Sequence, residues 1–145
     1  MTTLAILPVK GFGRAKQRLR ERVPDGPRAG LAEAMVRDVL RALGETAGID
    51  GVIVVTAEPV AAALAREAGA DVVHDPAESG QSDAVALGVR RALERGAGRV
   101  VAVPGDCPAL DPAELEALLA SEEAVVIVPD RHGTGTNALL LAPPD

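Results

Sequence analysis

Short runs of Val, Ile, Leu and Ala alternate along the chain with longer segments whose apolar residues recur at helical spacing. This alternation is typical of α/β proteins, and continuous apolar runs predict strands buried on both faces of a mostly parallel sheet. The predicted strands are Leu4 to Val9, Val52 to Thr56, Val72 to Val73, Val100 to Val103, Val125 to Val128 and Ala138 to Leu141. We therefore expect a mostly parallel central sheet flanked by helices.

Helices are predicted between these strands, from apolar residues three or four positions apart. The first contains Leu31, Met35, Val36, Val39, Leu40 and Leu43, and the others span Glu58 to Ala68, Asp83 to Arg95 and Pro112 to about Ala120. The start of the last helix is marked by Asp111 as N-cap, with Pro112 and Glu114 in its first turn. No long linker divides the 145 residues, so residues 1–145 are predicted to form a single domain.

The composition is typical of a soluble globular protein, with 48% hydrophobic and 25% charged residues. No apolar run approaches the roughly 18 residues that a membrane helix needs, and the first residues do not form a secretory signal. The one cysteine, Cys107, has no partner for an internal disulfide. We therefore expect a cytoplasmic protein that does not bind a membrane.

Charge is distributed unevenly along the chain. The net charge is -6, yet Lys10, Arg14, Lys16, Arg18, Arg20 and Arg22 stand close together, opposed there by Glu21 alone. The negative total and an aromatic content of 1% argue against a nucleic-acid partner. A local basic segment on an acidic protein instead predicts that a small anion is bound in one place.

The segment after the first predicted strand is the strongest candidate for this anion site. Gly11 and Gly13 allow backbone amides to approach a triphosphate, and Lys10, Lys16 and Arg18 can neutralise its charge. The segment lacks the Gly-Lys-Ser/Thr of a Walker A loop, and Lys16 stands where a dinucleotide-binding fingerprint has its third glycine. A solvated basic helix start is the alternative interpretation.

Other polar segments also follow predicted strands, where open parallel sheets bind their ligands. Asp106 follows the fourth strand and offers a carboxylate ligand for Mg²⁺, although a structural turn is the alternative. Gly80, Gln81, Ser82 and Asp83 stand where the third helix begins and include acceptors for the hydrogen bonds that guanine donates. Ser82 or Asp83 as an ordinary N-cap explains that segment equally well.

The segment between the last two predicted strands contains Asp130, Arg131, Thr134, Thr136 and Asn137. Its two glycines and polar residues are compatible with a simple hairpin turn. A turn does not require this set of side chains, however, and together they can bind a carboxylate and a phosphate.

Together these segments resemble the 2-phospho-L-lactate guanylyltransferase family, including its actinobacterial phosphoenolpyruvate guanylyltransferase branch. The resemblance rests on Pro8-Val9-Lys10 with Lys16-x-Arg18-Leu19, on Gly105-Asp106-x-Pro108, and on Asp130-Arg131-x-Gly133-Thr134-Gly135-Thr136-Asn137-Ala138-Leu139. It runs along the whole chain in the order of the family.

The resemblance implies a nucleotide-diphospho-sugar transferase fold, which is glycosyltransferase-A-like and Rossmann-like. It also implies transfer of GMP from GTP to a small phospho-acid in coenzyme F-420 biosynthesis. By this resemblance the segment from Lys10 to Arg18 holds the GTP phosphates, with Lys10 and Lys16 catalytic, and the segment from Gly80 to Asp83 lies near the base. Asp106 binds Mg²⁺, and the segment from Asp130 to Asn137 holds the acceptor.

The acceptor is phosphoenolpyruvate, 2-phospho-L-lactate or 3-phosphoglycerate, and the sequence does not choose among them. The oligomeric state is also open, a homodimer included. Two other functions stay open as alternatives. One is a nucleotidyltransferase of the same fold that acts on molybdopterin or a sugar phosphate, and the other is a non-catalytic phosphometabolite-binding module.

The chain departs from the family at its end. Family members continue into an acidic Asp-x-Asp-Thr-Pro motif that completes the metal site, whereas this sequence stops at Asp145. We therefore expect that the chain lacks a C-terminal segment of the family. A naturally short copy with an impaired metal site is the alternative, because one carboxylate alone is a poor magnesium site.

Overall fold

The structure is a computed structural model that describes residues 2–9, 25–75, 81–103, 112–120, 125–129 and 136–141. These residues form strands β1 (Thr3–Val9), β2 (Gly51–Thr56), β3 (Asp71–His74), β4 (Arg99–Ala102), β5 (Val125–Pro129) and β6 (Thr136–Leu141), and helices α1 (Asp25–Glu45), α2 (Pro59–Glu67), α3 (Gln81–Glu94) and α4 (Pro112–Leu119). Every predicted strand and helix is found, and the ends that were predicted differ by at most two residues.

The strands form one sheet in the order β3-β2-β1-β4-β6-β5. β1 pairs in parallel with β2 and β4, and β2 pairs in parallel with β3. β6 runs antiparallel to both of its neighbours, β4 and β5. The predicted mostly parallel sheet is therefore confirmed. We call the side where β1 to β4 finish the carboxyl end of the sheet, and the opposite side its amino end.

Each face of the sheet carries its own apolar core, because successive strand residues point to opposite faces. On one face, alternate residues of β1, β2 and β4 pack with apolar side chains of α1, α2 and α4. On the other face, the intervening residues, Ile6 and Ile53 among them, pack with Ala84 and Ala92 of α3. All seven residues of β1 are buried, as a continuous apolar run predicts for a central strand.

Polar contacts join the strands and α4 at the amino end of the sheet. The Thr3 N–H donates to the Asp50 carboxylate at 2.8 Å, and the Asp50 N–H donates to the Thr3 carbonyl, also at 2.8 Å. Arg99 donates from Nε to Thr3 Oγ1 at 3.0 Å and from Nη1 to the Leu119 carbonyl at 2.7 Å. Arg99 therefore connects the first residues of β1 and β4 to the last turn of α4.

Helices α2 and α3 end in the same way. Gly69 and Gly96 have φ angles of 80° and 76°, which favour glycine. Hydrogen bonds from Ala70 N–H to Ala65 O and from Ala97 N–H to Ala92 O close the ends of these helices. Asp111, the predicted N-cap of α4, lies outside the described residues. None of the helices in the described ranges is long and apolar enough to cross a bilayer.

Candidate active site

The carboxyl ends of β1 and β4 are neighbours. β1 pairs with β2 on one side and with β4 on the other, with Ile6 opposite Ala102. The chain proceeds from β1 outward to β2 and β3 and then returns to the other side of β1 to form β4. In open parallel sheets, ligands bind beyond the carboxyl ends of the strands where the direction of connection reverses. The crevice between β1 and β4 is therefore the candidate site.

Two predicted segments continue from this pair of strands. Lys10 directly follows Val9, the last residue of β1, and Asp106 comes four positions after Ala102, the last residue of β4. Neighbouring strands are about 4.8 Å apart, so the two segments continue from adjacent strands, with β4 ending opposite Ile6, three residues before the end of β1. Lys10 and Asp106 themselves lie outside the described residues.

The first turn of α3 also belongs to the carboxyl end of the sheet, since α3 follows β3 and leads back to the start of β4. The helix begins at Gln81, so Ser82 and Asp83 lie within its first turn. The N-cap interpretation of these two residues is therefore wrong. Asp83 is exposed, and its negative charge is favourable near the positive end of the helix dipole.

The last two strands pair as a hairpin, in which β5 ends and β6 begins at this same end of the sheet. Residues 130–135 connect β5 to β6, and so short a connection allows only antiparallel pairing. The register shifts between Val128, which is opposite Ala138, and Pro129, which is opposite Thr136. The pairing therefore skips Asn137, an irregularity of the kind that a β-bulge produces. The antiparallel pairing of β5 with β6 agrees with a hairpin, whereas residues 130–135 lie outside the described residues, so binding by this segment stays a prediction.

The described residues cover the predicted site only in part. Gln81, Ser82 and Asp83 belong to α3, and Thr136 and Asn137 belong to β6. The remaining predicted site residues, which are Lys10, Gly11, Gly13, Lys16, Arg18, Gly80, Asp106, Asp130, Arg131 and Thr134, lie outside the described residues. What the structure adds for these is the placement of the strands and the helix that precede or follow them.

Two buried polar residues at the carboxyl end of the sheet were not singled out from the sequence. Thr56, at the end of β2, is 2% exposed, and Asp75, directly after β3, is 7% exposed. Thr56 Oγ1 accepts a hydrogen bond from the Glu58 N–H at 3.0 Å, and its carbonyl accepts one from the Asp75 N–H at 3.2 Å. Asp75 shows the signal that marked Asp106, a carboxylate soon after a strand, and could have been found by it.

Helix α3 is attached to β3 by an ion pair at the amino end of the sheet. Arg91 donates from Nε and Nη2 to the two carboxylate oxygens of Asp71, at 2.7 and 3.1 Å. These hydrogen bonds hold the pKa of Asp71 below its ordinary value, an effect that burial opposes and the charges of Arg91 and Arg95 reinforce. An open hollow of about 570 Å³ beside this pair is at the opposite end of the sheet from the crevice.

The described residues contain no group of three His, Cys, Asp or Glu side chains arranged to hold a metal ion. The carboxylate predicted for that purpose, Asp106, is not among them. The described geometry places the strand ends that flank three polar segments, after β1, after β4 and between β5 and β6, together with the first turn of α3, at one end of the sheet.

The sequence is similar to known guanylyltransferases over its whole length. Residues 3–145 match the model of the family described as "Guanylyl transferase CofC like". The phosphoenolpyruvate guanylyltransferase of Conexibacter woesei is 55% identical over 149 residues, which cover 100% of this chain and 67% of that protein. The enzyme of the same name from Rubrobacter xylanophilus is 43% identical, covering 99% of this chain and 71% of that protein. The chain thus spans about two thirds of the length of these curated relatives.

Solved structures share the fold at low sequence identity. A protein of Desulfovibrio desulfuricans described as a nucleotide-diphospho-sugar transferase superposes with a TM-score of 0.80 at 18% identity, covering 99% of this chain and 64% of that chain. A 4-diphosphocytidyl-2C-methyl-D-erythritol synthase superposes with a TM-score of 0.68 at 16% identity, covering 99% and 75%. The predicted nucleotide-diphospho-sugar transferase fold is therefore confirmed.

Proposed function

This chain belongs to the CofC-like guanylyl transferase family, and from that premise we propose that the protein transfers GMP from GTP to the phosphate of a small phospho-acid. Phosphoenolpyruvate is the proposed acceptor, because the two relatives described above carry the name phosphoenolpyruvate guanylyltransferase. The product would serve coenzyme F-420 biosynthesis. The 55% identity across the whole chain is the observation that carries the proposal.

The order of the strands supports a placement for each substrate. The triphosphate of GTP would lie at the crevice between β1 and β4, next to the segments that contain Lys10 and Asp106. The first turn of α3 follows β3, which lies two strand spacings, or about 10 Å, from β1, so the base would lie on that side. β5 and β6, the strands that the segment from Asp130 to Asn137 connects, are on the opposite side of the crevice, where the acceptor would lie.

The proposed reaction needs no protein nucleophile. A phosphate oxygen of the acceptor attacks the α-phosphorus of GTP in line, a new P–O bond forms, and the bond to the β-phosphate breaks to release pyrophosphate. Lys10, Lys16 and Arg18 would bind the triphosphate and neutralise the charge that pyrophosphate carries away. Asp106 would contribute a carboxylate ligand for Mg²⁺, which would supply further neutralisation of the same charge. Catalysis would then come from positioning and charge neutralisation.

The test is pyrophosphate release from GTP by the full-length protein, with each of the three phospho-acids in turn. We expect turnover with phosphoenolpyruvate. Asp106→Asn should lower kcat/KM by more than about 100-fold, since even outer-shell residues of metal sites matter at that scale. Lys10→Ala should raise the KM for GTP by 10-fold or more, as the loss of a charged hydrogen bond predicts.

Asp38→Asn is the matched control, because Asp38 lies on α1, partly exposed and bonded to Arg41 at 2.7 Å. This variant should keep full activity. An Asp106→Asn variant that turns over normally would remove Asp106 from the metal site. GTP that raises the melting temperature without any pyrophosphate release would favour the non-catalytic binding module. Turnover only with a sugar phosphate or molybdopterin would assign the protein to another transferase of this fold.

A further inference from the structure

We propose that Gly88 of α3 is a positioning residue for GTP, because it sets the distance between α3 and β1. The inference rests on the proposed function, in which the first turn of α3 lies near the base. Its basis is one close contact in the core, on the face of the sheet that α3 covers.

Helix α3 approaches β1 more closely at Gly88 than any side chain would allow. A Cβ atom at this position would stand 2.4 Å from Ile6 Cγ2 and 3.2 Å from Ile6 Cγ1 and Cδ1. Ala84 and Ala92, one helical turn before and after, are 5% and 0% exposed, and Ile6 is fully buried. Small residues on three successive turns thus bring the helix backbone against the sheet, and Gly88 is the point of closest approach.

The contact between Gly88 and Ile6 lies directly below the proposed site, at a similar distance along α3 and along β1. Gln81 comes seven residues before Gly88, so the start of α3 is about 10 Å from the contact along the helix axis. Val9 comes three residues after Ile6, which is also about 10 Å along the strand. The first turn of α3 therefore lies level with the end of β1, where the basic segment begins. If the helix moves away from the sheet at Gly88, its first turn should therefore also move away from the end of β1.

A methyl group at Gly88 would force the helix away from the strand. Ordinary contact between such atoms starts at 3.4 Å, so the contact must open by about 1 Å. Cγ2 is bonded directly to Cβ of the fully buried Ile6, so the shift is expected to fall on the distance between α3 and β1. Farther along, Arg91 attaches α3 to Asp71 of β3, so the displacement falls mainly on the part of the helix that precedes this attachment. Displacements of about 1 Å in a binding group can cost up to 10²-fold in catalytic efficiency.

The experiment measures KM for both substrates and kcat in the full-length protein. Gly88→Ala should raise the KM for GTP about 10-fold, with kcat and the KM for phosphoenolpyruvate changed by less than about 3-fold, because the acceptor segment lies across the crevice from α3. Gly44→Ala is the matched control, since Gly44 is also helical and a Cβ there has nothing within 4 Å. It should leave all three parameters unchanged.

A second substitution tests whether the contact itself is responsible. Ile6→Ala removes Cγ1, Cγ2 and Cδ1, so it should restore the KM for GTP in the Gly88→Ala background. Ile6→Val keeps Cγ2, the atom that would be 2.4 Å from the new Cβ, so it should not restore the KM for GTP. If Gly88→Ala alone does not fold, Ile6→Ala is compared with the double variant. The added methyl then fills part of the space left by Ile6, and the KM for GTP should fall.

The outcomes separate the two proposals. A wild-type protein that does not consume GTP overturns the function and this inference with it. An active wild type whose KM for GTP is unchanged by Gly88→Ala overturns the positioning role alone. Equal changes in both KM values and kcat, or the absence of rescue by Ile6→Ala, also overturn it, because these results indicate a general loss of structure.

Discussion

Replacing Arg99 with Met should destabilise the protein more than the same replacement at an exposed arginine. Arg99 is partly buried at the start of β4, and its guanidinium donates to Thr3 Oγ1 and to the Leu119 carbonyl. Met keeps most of the apolar stem of the side chain and removes both donors. The substitution therefore isolates the two hydrogen bonds and the charge from the packing of the stem.

The magnitude follows from what is left without a partner. Thr3 is 1% exposed and Leu119 is 7% exposed, so water replaces the lost donors poorly. A buried group that loses a charged donor costs about 1.5–3 kcal/mol, and the positive charge near the end of α4 adds up to about 1 kcal/mol. We expect a loss of about 3 kcal/mol. Arg99→Lys should lose about half as much, because an ammonium lacks the forked donors of a guanidinium.

The free energy of unfolding should be measured by far-UV circular dichroism in urea, because the chain has no Trp or Tyr for fluorescence. The expected loss corresponds to a fall in Tm of about 10 °C. Arg41→Met is the control: Arg41 is 70% exposed and pairs with Asp38 on the same helix. If Arg99→Met is no more destabilising than Arg41→Met, the two hydrogen bonds do not stabilise the fold and the reasoning is wrong.

Two further substitutions concern α3. Asp71→Asn should lower stability at pH 7, because the pKa of Asp71 is depressed in the folded state and the charged carboxylate therefore contributes above its unfolded pKa of about 3.9. The difference between wild type and Asp71→Asn should shrink as the pH falls through the folded pKa, and a difference that is constant in urea titrations from pH 7 to pH 3 would contradict the assignment. Gly96→Ala places a side chain at a φ of 76° and should cost about 1 kcal/mol in the same titration, without a change in the KM for GTP.

The strands could be predicted from the sequence because burial on both faces leaves a continuous apolar run, as in β1. The direction of β6 was harder to predict from the sequence. Its residues are as apolar as those of a parallel strand, and only the short connection from β5 indicates antiparallel pairing. The start of α3 was misplaced by two residues, because Ser82 and Asp83 are both favourable caps and a cap contributes only about 1 kcal/mol.

The polar contacts of the structure were the least predictable part. Asp71 and Arg91 are 20 positions apart in sequence, and Arg99 is 96 positions from Thr3, so no local pattern relates them. The role of Gly88 was equally hard to predict, because a glycine inside a helical pattern only weakens the prediction of the helix. Its significance depends on Ile6, a residue of another strand that the fold brings into contact.

In the proposed function the two ends of the sheet serve different purposes, and substitutions at each end should therefore have different effects. Arg99, Asp50 and Thr3 join β1, β4 and α4 at the amino end, far from the crevice where the proposed substrates would bind. Substitutions there should change the free energy of unfolding and leave the KM for GTP unchanged. Gly88 lies between the two ends, in the core, and α3 extends from it to the carboxyl end of the sheet. It is therefore a residue at which a packing change should appear as a change in substrate binding, and comparison of Arg99→Met with Gly88→Ala tests that distinction in one protein.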